Sequence, residues 1–359
     1  MIDRRRCIGD AIVSVALSGI AMPGIAGVGK STADLLQADI DRYDSFGVHR
    51  TGSAADHRTT QWLGRHLERL GFAVDRLPFA ADLFDVARSI LVTPAGAVPV
   101  VAQAPFPTER LDLNGGLVNL DPPAELSNVI ALARFPYSPD ASLGAAPYAT
   151  LIEQAAARGA AALIAVTEGP TGDVIRFNTT PDRKPTPLPV LLVAPQNAHR
   201  IAAGLPVRID VLGRHRRSAA YTTIGRLDRG GPRIVVSTPQ SGWTHAAGER
   251  GPGLALWRAL AATAAQSDSS TSYVFLASSG HEVGHAGLKA AFDRLGPMLH
   301  QRLALWLHLG ANLATFDYDR SRTALRLLRT PNPDRGVGAS RAVLAQVQAA
   351  FRDMSSLPV

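Results

Sequence analysis

The residues whose spacing points most directly to chemistry are His281, Glu282 and His285, which spell H-E-x-x-H. Residues four apart share one face of a helix, so both imidazoles could bind one zinc ion while Glu282 works on a zinc-bound water. The motif follows an alternating run of β-branched and aromatic residues, Tyr273 to Leu276, which predicts a buried strand. Gly284 disfavours helix by about 1 kcal/mol, which works against helical geometry across the motif.

A zinc ion held by this motif needs a third protein ligand. The candidates are His308, on the next predicted strand (residues 304–310), or Glu249 and His245 at the preceding turn. Turns at the carboxyl ends of parallel strands meet at one edge of a sheet, so these side chains should converge with the histidine pair. The predicted site therefore combines His281 and His285 with one of His308 or Glu249, and Glu282 is its base.

Each of these residues also has an ordinary structural explanation. His281 could cap or fill the start of a helix, and the helix dipole alone stabilises a carboxylate such as Glu282 at that position. His285 could be a partly buried packing residue. On an apolar strand, His308 is more often a hydrogen-bonded core residue than a ligand. Glu249 could bond only the amides of its own turn.

Strand and helix patterns alternate along most of the chain. Two helices are predicted within residues 32–73, separated by the loop 47–53 and closed by Gly71 as a C-cap. Residues 86–212 are rich in strand patterns and contain one clear helix, 146–158. Further strand–turn–helix blocks follow, and an amphipathic helix lies near the C-terminus, within 340–353. This order predicts an α/β fold with a mostly parallel sheet flanked by helices.

Four stretches resemble the family-twenty-eight zinc metallopeptidases, which are aminopeptidase-like exopeptidases, carrying an inserted protease-associated domain. They are Thr51–Ser53 with the helix to Gly71, the segment 146–195, the turn Gly248–Gly253 before a helix at 254–265, and Phe275–Gly287. The resemblance implies an exopeptidase-like α/β domain formed by residues 32–85 and 216–359. It also implies a β-rich, protease-associated-like insertion at 86–215, and aminopeptidase-type hydrolysis of peptides by metal-activated water.

The chain departs from this family at the metal site, where the family uses two zinc ions about 3.5–4 Å apart. The family's His-x-Asp falls on Pro239–Ser241, which cannot bind zinc, and its bridging aspartate falls on Glu249. Its general-base glutamate falls on His281, and the adjacent metal-ligand glutamate is retained as Glu282. The next aspartate falls near His308–Gly310, and the last histidine would fall beyond the end of this sequence. An ordinary two-zinc site is therefore not expected.

The composition is that of a globular chain with one large or two moderate domains. Its 359 residues are 46% hydrophobic and 19% charged, and the net charge is +7. The basic residues are scattered rather than gathered along one helix, which argues against a nucleic-acid partner. The single cysteine, Cys7, excludes an intrachain disulfide and a cysteine-based metal cluster.

Residues 1–27 have the pattern of an export signal. Arg4 to Arg6 are basic, and Ala11 to Met22 form an apolar stretch too short to span a bilayer as a helix. Small residues at 24 and 26 offer a cleavage site. The arginines and the modest hydrophobicity favour a twin-arginine signal, which predicts a periplasmic or secreted mature chain with no stable membrane span.

The same region contains a match to the P-loop spelling G-x-x-x-x-G-K-S, from Gly24 to Ser31. Pro23 would interrupt the preceding strand, and the residues belong to the predicted leader, so nucleotide binding is not favoured. Two main hypotheses remain. The chain is an exported zinc-dependent peptidase-like hydrolase, or it is a non-catalytic relative that binds peptides or proteins through its cleft or insertion.

Overall fold

The structure is a computed structural model that describes residues 32–352. Within that range it leaves out residues 122–125, 128, 139–140, 170, 181, 183, 312, 320–325 and 334. The predicted export signal, the cysteine and the P-loop match therefore lie outside the described residues. No helix in the described ranges is both long enough and apolar enough to cross a membrane.

The described chain forms helices and strands in alternation. The helices are α1 (Thr32–Asp44), α2 (Ala54–Arg69), α3 (Ala146–Ala157), α4 (Ala247–Gln266), α5 (Ala286–Leu295), α6 (Pro297–His300) and α7 (Leu344–Ala350). The strands are β1 (Ala73–Thr93), β2 (Gly96–Pro99), β3 (Val101–Ala102), β4 (Arg110–Asn119), β5 (Ile130–Phe135), β6 (Ala162–Thr167), β7 (Val190–Val193), β8 (Pro206–Leu227), β9 (Arg233–Pro239), β10 (Ser272–Ser278), β11 (Leu303–His308), β12 (Phe316–Asp319) and β13 (Arg326–Pro331).

Eleven of the strands form one mixed sheet with the order β11-β9-β10-β8-β4-β5-β6-β7-β3, and β1 and β2 pair beside β8. Strands β9, β10 and β11 are parallel, and so are β4 to β7. Strand β8 runs antiparallel to both β10 and β4, and it joins the two parallel groups. The predicted α/β class is confirmed. The sheet has more antiparallel pairing than the sequence patterns predict, because the long strands β1 and β8 pair along most of their length.

The paired strands β1 and β8 connect the two halves of the molecule. Near its C-terminus β8 pairs with β10, and near its N-terminus it pairs with β4. The β1–β8 register shifts between Val86 and Arg88, at the predicted start of the insertion. The strands themselves run through this point, so the division into an exopeptidase-like part and an insertion stays a prediction.

Each half has its own hydrophobic cores. In the half that contains β9, β10 and β11, helices α1, α2 and α4 pack on one sheet face around Tyr43, Trp257 and Phe275, which are almost fully buried. The opposite face carries a smaller core that includes Val274 and Leu295 from α5. Full burial stabilises a large apolar side chain by about 1.5–3 kcal/mol relative to exposure. These cores hold the carboxyl ends of β9, β10 and β11 in fixed positions.

Most predicted elements are confirmed. Helices α1, α2 and α3 and strands β6, β7, β9, β10 and β11 lie where the patterns place them, within a few residues. Gly71 has a φ of +82° just after α2, as a C-cap glycine requires. The C-terminal helix is shorter than the predicted 340–353 and covers Leu344–Ala350.

The predicted turn at Gly248–Gly253 is wrong, because these residues form the first turns of α4. Its glycines allow close packing instead of chain reversal. A Cβ on Gly251 would lie 3.0 Å from Ile40 Cγ2, and one on Gly253 would lie 3.0 Å from Thr238 Oγ1. A glycine-rich segment of this kind therefore marks a helix that packs closely against its neighbours as well as a turn.

Candidate functional site

The candidate site lies where β9, β10 and β11 end. The parallel strands end at one edge of the sheet, where Ser241 and Glu282 lie on the loops after β9 and β10 and His308 is the last residue of β11. A further loop, between α1 and α2, contributes Thr51 to the same region through hydrogen bonds to Glu282. This convergence at a sheet edge is the one that the strand pattern predicts.

Glu282, the predicted base, is fully buried, and protein hydrogen bonds occupy both of its oxygens. Oε1 accepts from the backbone N of Thr51 at 2.8 Å and from its hydroxyl at 2.6 Å. Oε2 accepts from the hydroxyl of Ser241 at 2.7 Å. The Ser241 hydroxyl in turn accepts from Gly280 N at 2.8 Å. The carboxylate thus links three loops through hydrogen bonds, which is a structural role.

A second buried acid, Asp56, lies beside this network. Its Oδ2 accepts from Gly52 N at 2.8 Å and from the Ser279 hydroxyl at 2.7 Å, and Oδ1 accepts from Gln240 Nε2 at 2.8 Å. Burial raises the pKa of Asp56 to about 6, although these hydrogen bonds oppose the rise. Asp56 and Glu282 therefore both hold the loops of the site in place through buried hydrogen bonds.

His281 and His285 lie side by side, but not through helical spacing. Gly280, Gly284 and His285 have positive φ values of 84°, 69° and 55°, and the helix begins only at Ala286. The two imidazole centroids are 4.5 Å apart and the rings are inclined by 78°. The prediction that the motif could be helical is wrong, because the left-handed turns interrupt it.

Arg250 is a buried cation in the middle of the predicted ligands. Its Nη2 lies 3.0 Å from Nδ1 of His281 and 2.8 Å from Oε1 of Glu249, and its Nε donates to Ser241 O at 2.9 Å. The side chain is only 2% exposed. Its Nη1 has no hydrogen-bond partner among the described residues. A guanidinium charge therefore lies among the residues that the sequence predicts as metal ligands.

Electrostatics keeps the imidazoles of this site neutral. Burial, followed by the charge of Arg250, lowers the pKa of His281 to about 2 and that of His308 to about 4. The same two causes lower the pKa of His285. A neutral imidazole carries one donor and one acceptor, so these rings can hydrogen-bond polar groups without adding charge.

The predicted third ligands have other partners. His308 Nδ1 lies 2.9 Å from the Ser237 hydroxyl, which also accepts from Trp306 Nε1 at 2.7 Å. Glu249 is 42% exposed and pairs with the buried arginine. His245 pairs at the surface with Asp44, 2.9 Å away.

This donor set does not fit a zinc centre. Among the described residues, no group of three or more His, Cys, Asp or Glu side chains is placed to hold a metal ion. Both oxygens of Glu282 accept hydrogen bonds from neighbouring loops, and His281 Nδ1 and Glu249 both bind Arg250. A cation placed beside a guanidinium would also meet charge repulsion.

The residues that organise the site have no clear signal in the sequence. Arg250, Asp56 and Thr51 are buried, and Gln240 and Ser241 hydrogen-bond to the two buried acids. A charged residue such as Arg250 inside a run of glycines before an apolar helix is a weak signal of burial. The partners of Glu282, by contrast, are up to 231 positions away in the sequence.

No family model matches the sequence, and no curated protein matches it. Solved structures do match the fold. A zinc aminopeptidase from Bacillus subtilis aligns with 91% of this chain and 79% of that chain at 16% identity, with a TM-score of 0.69. An aminopeptidase from Aneurinibacillus sp. strain AM-1 aligns with 77% and 69% at 16% identity and a TM-score of 0.58.

A peptidase M28 precursor from Shewanella amazonensis SB2B aligns with 77% of this chain and 72% of that chain, at 15% identity and a TM-score of 0.59. At such identities the likeness shows the fold, and the predicted aminopeptidase-like α/β fold is confirmed. The protease-associated nature of the insertion stays a prediction.

Proposed function

We propose that this chain uses the aminopeptidase fold to bind peptides, with the Arg250 guanidinium in the place of catalytic metal. The observation that carries the proposal is the pair of contacts from Arg250 to His281 Nδ1 and Glu249 Oε1. A guanidinium is permanently protonated and has only donors, so it provides fixed positive charge without the open coordination position that activates water.

The groups around this cation have the chemistry of a recognition site. The neutral imidazoles of His281 and His308 and the carboxylate of Glu249 are partly accessible, and the buried Arg250 adds positive charge behind them. Such groups can hydrogen-bond the carbonyl oxygens of an extended peptide or its terminal carboxylate. We also propose that the chain is exported through an N-terminal signal, because residues 1–27 have the pattern of one.

The second candidate function is the zinc-dependent, aminopeptidase-type hydrolysis predicted from the sequence. Two observations favour it: the fold is shared with zinc aminopeptidases, and His281 and His285 are adjacent. It requires Glu282 to leave its hydrogen bonds to Thr51 and Ser241, or another residue to serve as base. The geometry therefore favours binding over hydrolysis.

Metal content and peptide affinity separate the two candidates. The purified chain is equilibrated with equimolar zinc, gel-filtered and analysed for metal, and calorimetry measures its binding of trialanine, trileucine and trilysine. We expect almost no retained zinc, binding of at least one tripeptide, and no hydrolysis of leucine p-nitroanilide. About one zinc per chain together with hydrolysis, both lost in His281→Ala, would overturn the proposal, as would failure of all three tripeptides to bind.

A further inference from the structure

A cavity of about 380 Å³ lies at the junction between the exopeptidase-like half and the insertion. Strand β1 forms one wall, the segment 100–104 of the insertion forms another, and Trp243 and Val283 close it from the loops of the candidate site. Its volume falls within the roughly 300–1,000 Å³ of small-molecule sites. The cavity is separate from the contacts of Arg250 described above.

Two arginines give the cavity an unbalanced positive charge. Arg176 lines it and forms no ion pair or hydrogen bond with any described residue, while Arg50 pairs with Asp85 at 2.5 Å. Asp85 is shared with Arg216 at 2.8 Å, so its charge is already balanced. The remaining acid of the lining, Asp82, is exposed and forms no ion pair within the described chain.

Arg50 and Arg176 both line the cavity, so their positive charges act on the same space. Partial burial, followed by the charge of Arg50, lowers the pKa of Arg176. Asp85 lies beside Arg50, whereas no carboxylate of a described residue pairs with Arg176, and such a charge in a partly enclosed site is stabilised by a bound anion. The arrangement is therefore suited to a carboxylate, which accepts paired hydrogen bonds from a guanidinium.

An apolar wall completes the cavity. Phe84, Val100 and Trp243 are among the apolar residues that line it. Ser89 also lines the cavity, but its Oγ atom has almost no accessible surface and is therefore not available to a bound molecule.

We propose that this cavity binds a molecule that carries a carboxylate next to an apolar group. Arg176 holds the carboxylate, and Phe84 and Val100 contact the apolar group. This site extends the proposed peptide binding, and it depends on that proposed function only for the source of the carboxylate. That source is either the C-terminal end of a peptide or a small organic acid.

Calorimetry tests the proposal on the intact chain. The probes are alanyl-phenylalanine, its C-terminal amide and 3-phenylpropanoate, which carries the same ring and acid without a peptide bond. We expect the free dipeptide to bind at least about tenfold more tightly than its amide, because the amide cannot pair with a guanidinium. If 3-phenylpropanoate binds as well as the dipeptide, the natural source is a small acid; if it binds far more weakly, the source is a peptide.

Substitutions locate the binding. Arg176→Gln should weaken binding of the free dipeptide at least about tenfold. The control is Arg134→Gln, which removes another exposed arginine that is not part of the lining, and it should leave affinity unchanged. Circular dichroism melts confirm that each variant folds.

Three results would overturn the proposal. They are equal affinity for acid and amide, unchanged affinity in Arg176→Gln, and no binding of either acid at about 10 mM. The variant Arg250→Met separates this proposal from the proposed function. Loss of tripeptide binding in Arg250→Met with retained binding of the acids assigns the cleft and the cavity to different ligands.

Discussion

The Nη2 atom of Arg250 lies 3.0 Å from the Nδ1 atom of His281. Because a guanidinium has only donors, Nδ1 must be the acceptor, and the proton of the neutral imidazole therefore lies on Nε2. The same Nη2 contacts Glu249, so one buried cation joins two residues that the sequence predicts as metal ligands. The positive charge among these residues is therefore a permanent one that the protein itself carries.

Removing that charge should change the titration of its neighbours. In Arg250→Met, the pKa of His281 and that of His308 should both rise towards the ordinary value, because the positive charge that opposes their protonation is gone. Burial still holds both below that value. Proton NMR titration of the imidazole signals measures the change. The control Arg65→Gln, on the exposed face of α2, should leave both pKa values where they are, and unchanged values in Arg250→Met would contradict the assignment.

The buried carboxylate of Glu282 should matter for stability. Glu282→Gln replaces one acceptor oxygen by an amide that faces the hydroxyls of Thr51 or Ser241, so we expect a loss of about 2–3 kcal/mol in the free energy of unfolding. Urea denaturation at neutral pH measures it. Glu68→Gln removes an exposed ion pair with Arg76 and should cost at most about 1 kcal/mol. Equal stability of Glu282→Gln and the parent chain would show that the carboxylate is not structural.

Asp56 should make the folded state more stable in mild acid. Its pKa is about 6 in the folded chain against 3.8 for an ordinary aspartate, so the folded state binds more protons between these values and stability falls as pH rises through them. The difference in the free energy of unfolding between the parent chain and Asp56→Asn should therefore change with pH. Compared with its value at pH 7, this difference should favour the parent chain by about 1 kcal/mol more at pH 5 and by about 3 kcal/mol more below pH 4.

The comparison with Asp56→Asn isolates this one group. The histidines of the site have lowered pKa values, so they destabilise the folded chain as pH falls below about 6.5, but they do so in both proteins. Urea denaturation of the two chains at pH 7, 6, 5 and 4 gives the difference directly. A constant difference across this series would mean that Asp56 titrates normally.

The elements were predictable because their signals are local. The alternation of Tyr273 to Leu276 marks β10, and the apolar run at 304–310 marks β11. A positive φ at Gly71 follows from its place after an amphipathic helix. Such patterns report how a few adjacent residues meet the core, and the core is formed by the same apolar side chains.

The arrangement of the site was not predictable, because it depends on contacts between distant segments. The partner that fills Oε1 of Glu282 is Thr51, 231 positions away, and the partner of His281 is Arg250, 31 positions away. Spacing alone suggests a helix for H-E-x-x-H. The left-handed conformations at Gly284 and His285 are set instead by the way the loop joins β10 to α5, with the backbone O of Glu282 accepting from Thr179 N at 2.9 Å.

The glycines of α4 offer a direct test of how tightly this helix presses on the site. In Gly253→Ala the new Cβ would lie 3.0 Å from Thr238 Oγ1 and 3.3 Å from the carbonyl oxygens of Leu309 and Gly310, so we expect a loss of about 1–3 kcal/mol. In Gly248→Ala no atom lies within 4 Å of the new Cβ, and the better helix propensity of alanine should add up to about 1 kcal/mol. Urea denaturation of both variants measures the contrast. Similar stabilities would show that α4 can move away from β9 and β11, and the fixed position of Arg250 at the start of that helix would then have no support.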